Sequence, residues 1–240
     1  MKMVVLGSSL EGLLLCNELA KQHHDVMLID LEAEIGMPVQ HPGRVVDREL
    51  LTNYFSEEEQ NFLALHSNTD GWGCRWEWVL KFLSHRVARE GVQCYTRTRV
   101  LEIEKHENEV KITLSSHERQ QPETIHVDTV INMLPDTKSG PGTRQHVLGP
   151  MTPTVFPLPP QSRWFGETRL VRVEDQETND AIFQLRRGDA LVEYWWNHQP
   201  TEADIGNVIE RCEVVLPSDP DEVSFDAAVR RVQRFIENLL

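Results

Sequence analysis

The sequence predicts an α/β protein: a parallel sheet built by a β-α-β crossover, with an inserted β layer, then a small antiparallel sheet. Three observations carry this. Residues 3–6 and 26–29 are short continuous apolar runs, the composition of strands buried on both faces. Between them, Leu13, Cys16, Asn17 and Ala20 recur at helical spacing before polar Gln22, His23, His24 and Asp25, so strand, helix and strand fit within about thirty residues. Beyond residue 150 the pattern changes to alternating segments joined by turn residues.

The remaining elements follow in order. Residues 32–53 are irregular, punctuated by Gly36, Pro38, Pro42 and Gly43, and Ser56 ahead of Glu57, Glu58 and Glu59 marks a capped, acidic helix start. Residues 75–90 read as a helix with Trp78, Val79, Phe82, Leu83 and Val87 as its buried stripe, ended by Gly91. Strand-like segments return at 92–95, 99–105, 110–114, 124–127 and 130–134, and the last, the most apolar, is expected to rejoin the parallel sheet. Residues 135–160, rich in Pro, Gly and Thr, mark a crossing that divides a domain of residues 1–150 from one of 151–240. In the second, residues 167–173, 181–186 and 190–196 read as strands, with Arg187-Gly188-Asp189 as a hairpin turn. Residues 203–212 are expected to be helical. Residues 225–240 form a clear helix, with Val229, Val232, Phe235, Ile236 and Leu239 at helical spacing behind Ser224.

Composition removes several classes of function. Lys and Arg number 24 against 38 Asp and Glu, a net charge of −14, so there is no electrostatic footprint for nucleic acid. The apolar runs fall far short of the roughly twenty residues of a spanning helix, and the N-terminus lacks the apolar core of an export signal. Cys16, Cys74, Cys94 and Cys212 lie apart with no C-x-x-C pair, which suits reduced thiols, a cytoplasmic location and no metal site. No G-x-S-x-G elbow, Walker loop, H-E-x-x-H or EF-hand pattern occurs.

One constellation carries chemistry. Gly7-Ser8-Ser9-Leu10-Glu11-Gly12 sits where a strand turns into a helix. Gly7 permits the tight turn, Gly12 lets the helix approach the strand, and the helix N-terminus directs N–H groups at an anion. Asp30, eighteen residues beyond Gly12 at the tip of the second strand, is placed to accept hydrogen bonds from a ribose diol. Ser9 stands where the dinucleotide fingerprint has its middle glycine, and a side chain there crowds the closest approach of a pyrophosphate.

Several segments then resemble a known group, in its order along the chain. Glu34-Ile35-Gly36-Met37-Pro38-Val39 is similar to an I-G-x-P segment after the ribose-binding acid, and Arg75 with Val87-Ala88-Arg89-Glu90-Gly91-Val92 to an arginine and an A-x-x-x-G-V pattern. Thr98-Arg99-Val100 with Ile103 resembles a T-x-V-x-x-I segment whose backbone lies near adenine, and Asp128-Thr129-Val130-Ile131-Asn132 a D-x-V-I-x closing strand. The group is the FAD-dependent oxidoreductases and monooxygenases of the glutathione-reductase-like Rossmann class, in their geranylgeranyl-reductase-like branch. The resemblance covers about the first 135 residues. It implies a Rossmann-type FAD/NAD(P)-binding domain with FAD as cofactor, NAD(P) being the alternative. The adenine half of FAD would rest on Gly7, Ser9, Leu10, Gly12, Asp30, Arg75 and Val100. The reaction implied is hydride transfer to, or oxygenation of, a hydrophobic or aromatic small molecule.

The sequence departs from the group at its second FAD motif. The Gly-Asp-Ala present, Gly188-Asp189-Ala190, is better explained as a hairpin turn, and no catalytic residue is singled out. His41 stands near the place of a cysteine of that branch, and Arg44 is a second candidate cation. Trp72, Trp76 and Trp78 are candidates to line a flat ligand, with helical Trp78 read as core. Trp195 and Trp196 alternate faces on a strand, which sends one ring outward or into a pocket. Two readings stand against catalysis within one chain: a non-catalytic relative that binds NAD, ADP or a protein partner, and a homo-oligomer whose second copy completes the flavin site.

Overall fold

The computed structural model describes residues 1–39, 41–107, 109–116, 122–134, 146–147, 154–171, 180–200 and 208–239. By packing they fall into two compact units that interleave along the chain, whereas the expected boundary at residue 150 is a single cut. The first comprises Met1–Met37, Leu83–Pro157 and Arg231–Leu240, and the second Pro38–Phe82 and Leu158–Arg230. Strands and helices are numbered below in chain order.

In the first unit, β1 (Lys2–Leu6) is central to a parallel sheet, with β2 (Asp25–Ile29) and β10 (Thr129–Asn132) on its two edges; Val4 is in register with Met27 and with Val130. β6 (Gln93–Tyr95) extends the sheet beyond β2, and β11 (Thr154–Val155) extends it beyond β10. Helix α1 (Leu10–Lys21) makes the crossover and packs on β1 and β2. The other face of the sheet, through Val4, Leu6, Met27 and Ile29, packs against Val100, Ile112 and Ile125. Those three come from an antiparallel sheet of β7 (Thr98–Lys105), β8 (Val110–Ser116) and β9 (Thr124–Val127). Continuous apolar sequence in β1 and β2 and alternating sequence in β7 to β9 thus have one cause: the parallel strands are covered twice, the antiparallel ones once.

The second unit holds two antiparallel sheets. β5 (Gly71–Gly73) lies between β3 (Arg44–Val45) and β4 (His66–Asn68). The larger sheet has the order β13 (Phe183–Arg186), β14 (Leu191–Trp196), β12 (Gln161–Leu170), β15 (Val208–Pro217). Two short helices belong here, α2 (Arg48–Leu51), capped by Asp47, and α3 (Glu57–Phe62), whose capping box joins Ser56 and Glu59. The division between units falls within α4 (Trp76–Arg89), after Phe82, and within α5 (Phe225–Leu239), after Arg230. Among the described residues no helix is long and apolar enough to cross a membrane.

The structure corrects three expectations. Residues 208–212 are strand, not helix: they pair with β12, and the inward residues Val214 and Leu216 recur at the period of a strand. Residues 203–207 lie outside the described set. In α4 the fully buried positions are Trp76, Val79, Leu80, Leu83 and Val87, while Trp78 and Phe82 are half-buried and group with Phe62. Neither Trp195 nor Trp196 points outward, because both faces of β14 are covered: Trp195 packs with Trp164 and Phe183, and Trp196 with Tyr194 and Val192.

A buried ionic network ties the β13–β14 hairpin to the loop before β3. Glu193 accepts hydrogen bonds from Arg187 Nη1 at 2.9 Å, Trp195 Nε1 at 3.1 Å and the Gly43 amide at 3.1 Å. Arg187 also grips Asp189 at 3.1 and 2.8 Å. Burial pushes the Glu193 carboxyl up, and the Gly43 amide, Arg187 and Trp195 oppose it. Glu193→Ala would leave Arg187 buried with half its partners, so it is expected to cost about 3 kcal/mol, read as a lower midpoint in urea unfolding; an unchanged midpoint would show the network to be dispensable.

Candidate functional site

The turn from β1 into α1 is built by close approach. Gly7 has φ +102° and its N–H donates to Ile29 O at 2.9 Å, holding the turn against β2. A Cβ on Gly12 would lie 2.2 Å from Gly7 O, so only glycine lets α1 start there. Ser9 caps the helix, its hydroxyl accepting from the Gly12 amide at 3.2 Å. The side chain in the middle-glycine position is therefore folded onto the helix start. Leu10 and Glu11 open the first turn, where amides have no intrahelical acceptor. Glu11, an acid favoured by the dipole at this end, is paired with Arg231 Nη2 at 2.6 Å.

Asp30 follows β2 and is buried. Its Oδ2 accepts from the Ser8 amide at 2.7 Å and its Oδ1 from the Glu32 amide at 2.9 Å. Its own backbone joins Tyr95 O and the Thr98 amide, both at 2.9 Å. Ser8 Oγ in turn accepts from Gly36 N at 2.8 Å, and Gly36 has φ +79°. Asp30 thus clamps the Gly7 turn to the loop beyond β2, and each carboxylate oxygen keeps a lone pair for a ligand.

Val100 is buried on β7. Its N–H donates to His146 Nδ1 at 2.9 Å, and its C=O accepts from the Val147 amide at 2.8 Å. Burial pushes the His146 imidazole down to about 4; Asp30 opposes this and Arg99 adds to it. His146 escapes a reading of the sequence because it sits in a Pro- and Gly-rich stretch with no periodicity, and its partner is 46 residues away. Arg231 is missed for the same reason, as its partner Glu11 is 220 residues away.

Six of the seven expected cofactor residues, Gly7, Ser9, Leu10, Gly12, Asp30 and Val100, belong to the first unit. Arg75 belongs to the second, where its Nε donates to Glu77 at 2.8 Å and lies 3.6 Å from Asp189. Arg44 is not an exposed loop cation: it is buried in β3, donates to the carbonyls of Asp70, Pro220 and Val223, and lies 4.7 Å over the Phe183 ring. His41 stacks on Trp76 at 4.4 Å, with Nδ1 2.8 Å from Pro42 O. The three tryptophans do not share a wall: Trp76 lies under His41, Trp78 beside Phe62 and Phe82, and Trp72 beneath Arg48. Gly188-Asp189-Ala190 is the β13–β14 turn, with Ala190 at φ +63°.

Neither a family model nor a curated protein matches the sequence. Solved structures do match. CabE, an aromatic hydroxylase from angucycline biosynthesis, aligns with a TM-score of 0.55 and 12% identity over 89% of this chain and 52% of its own. The halogenase PltM aligns with a TM-score of 0.55 and 11% identity over 99% of this chain and 69% of its own. The p-nitrophenol 4-monooxygenase PnpA from Pseudomonas putida DLL-E4 gives 0.55 and 12% over 90% and 68%. The chain shares its fold with these enzymes. It spans about half the length of some structures that it matches, 45% of AlpK and 52% of CabE.

Two outcomes follow from the geometry. Asp30→Ala removes the acceptor of two loop amides and is expected to cost about 2 kcal/mol in chemical unfolding; full parental stability would mean the clamp is idle. His146 should titrate near pH 4 by NMR, against about 6.5 in the unfolded chain. Its folded pKa is depressed, so the unfolded state binds the extra proton. The stability it contributes is complete above pH 6.5 and is lost as pH falls toward 4, by up to about 3 kcal/mol. A midpoint near 6.5 in the folded protein would contradict the burial.

Proposed function

We propose that the chain binds FAD through its parallel sheet and serves the oxygenation of an aromatic or hydrophobic small molecule. The observation that carries the reading is positional. The Gly7–Gly12 turn and Asp30 meet at the carboxyl ends of β1 and β2, in a sheet whose order β11-β10-β1-β2-β6 reverses direction at β1. In open parallel sheets, ligands bind outside the carboxyl ends of the strands at such a reversal. The fold shared with an aromatic hydroxylase, a halogenase and a monooxygenase supports the same reading.

The residues fit the adenine half of a dinucleotide in kind. The first turn of α1, at Leu10 and Glu11, directs amides at a pyrophosphate, and Gly12 permits the approach. Asp30 retains acceptor capacity for a ribose diol, and Val100 carries a backbone donor and acceptor of the kind a base needs, both engaged here by His146 and Val147. Arg75 has carboxylate partners of its own in Glu77 and Asp189 and is not used in this reading. When bound, FAD supplies the hydride or oxygen chemistry, and the chain supplies binding and orientation.

A second reading, a non-catalytic relative that binds a nucleotide such as NAD or ADP, is favoured by one observation: Ser9 Oγ already accepts from the Gly12 amide that a phosphate would approach. Colour separates the two. Protein mixed with FAD and freed of excess should keep flavin absorbance in the blue, and Asp30→Ala should weaken retention about tenfold, the loss of one charged hydrogen bond. A protein that stays colourless after FAD addition yet binds ADP selects the second reading.

A further inference from the structure

β7 is an edge strand of its sheet, and Val100 turns both of its backbone groups away from β8. An unpaired strand edge invites a partner. Here the two partners are consecutive residues, 46 and 47 positions along the chain, and they differ in kind. His146 offers a ring nitrogen as acceptor to the Val100 N–H, and Val147 offers a backbone N–H as donor to the Val100 C=O. A flat nitrogen heterocycle presenting an acceptor beside a donor is also what the N1 and 6-amino edge of adenine presents.

The surroundings of the imidazole sharpen the likeness. Its Nε2 is buried and has no hydrogen-bond partner among the described residues. The ring is held neutral, as an acceptor at Nδ1 requires. It also lies within the field of the Asp30 carboxylate, the acid placed for the ribose. Val147, by contrast, is exposed, and only its amide is used.

We infer that His146 and Val147 act as a built-in ligand at the base-recognition edge of Val100, and that an adenine nucleotide must displace them to be read there. The inference rests on the nucleotide-binding reading above. Affinity for such a nucleotide is then set by two competing edges for one residue, and a change that loosens residues 146–147 raises it without touching the phosphate or ribose contacts. A simple structural clasp makes the opposite demand: its removal lowers stability and leaves affinity where it was.

The test compares the parent protein with His146→Ala, which removes the acceptor, and Val147→Pro, which removes the donor at an exposed position and so stands in if the first variant does not fold. ADP and FAD are titrated by calorimetry, with flavin mononucleotide, which lacks adenine, as control. Amide hydrogen exchange at Val100 is followed in parallel. Both variants should bind ADP and FAD about tenfold more tightly, one competing hydrogen bond having been lost, with flavin mononucleotide unaffected. Exchange at Val100 should quicken in the free variants and slow again on adding ADP. Equal affinity for ADP in all three proteins would overturn the inference and leave the nucleotide-binding reading intact. Absence of ADP and FAD binding in all three would overturn that reading, and the inference with it.

Discussion

Strand β1 is paired on both edges and covered on both faces, and this constraint organises the rest of the first unit. A strand so placed has no surface for polar side chains, so its sequence is continuously apolar, and Met3, Val4, Val5 and Leu6 are fully buried. Parallel pairing to β2 obliges a crossover helix, and α1 must begin within a few residues of the strand end. The tight turn that results demands Gly7 and Gly12 and leaves the first amides of α1 beside the carboxyl end of β1. The site is thus a consequence of the crossover as much as an addition to it.

Asp30 shows how one side chain serves both fold and site. Its oxygens hold the amides of Ser8 and Glu32, which orients the Gly7 turn and fixes the loop that follows β2. In the proposed function the same oxygens would also accept from a ribose diol. Burial makes the carboxylate costly unless it is satisfied, and the two amides satisfy it with or without a ligand. Ser9 behaves alike: its side chain caps the helix by accepting from the Gly12 amide, so the helix start is well formed.

The second unit relies on a different device. Its antiparallel sheet is buried on both faces of β14, one through Trp195 and the other through Tyr194 and Trp196. Glu193 lies on that strand among them, and its charge is tolerated because Arg187, Trp195 and the Gly43 amide converge on it. Arg44 is buried nearby in the chain by the same logic, with carbonyls of Asp70, Pro220 and Val223 as acceptors. Arg44, a cation that a linear reading offers to a ligand, is here engaged by carbonyls of the fold.

What the sequence by itself determined is what depends on neighbours along the chain. The β-α-β crossover, the Gly7–Gly12 turn, Asp30 at the strand tip, the capped helix at Ser56 and the amphipathic α5 follow from period, capping and turn chemistry, which act over a few residues. The tertiary structure decided what depends on partners far apart. That residues 208–212 pair with β12, that both tryptophans of β14 are covered, and that the units interleave could not be read locally. The pairing of Arg231 with Glu11, the capture of Arg44 and the seating of His146 on Val100 have the same origin. Hydrogen-bond satisfaction of a buried group selects whichever partner the folded chain brings near, and sequence spacing carries no record of that choice.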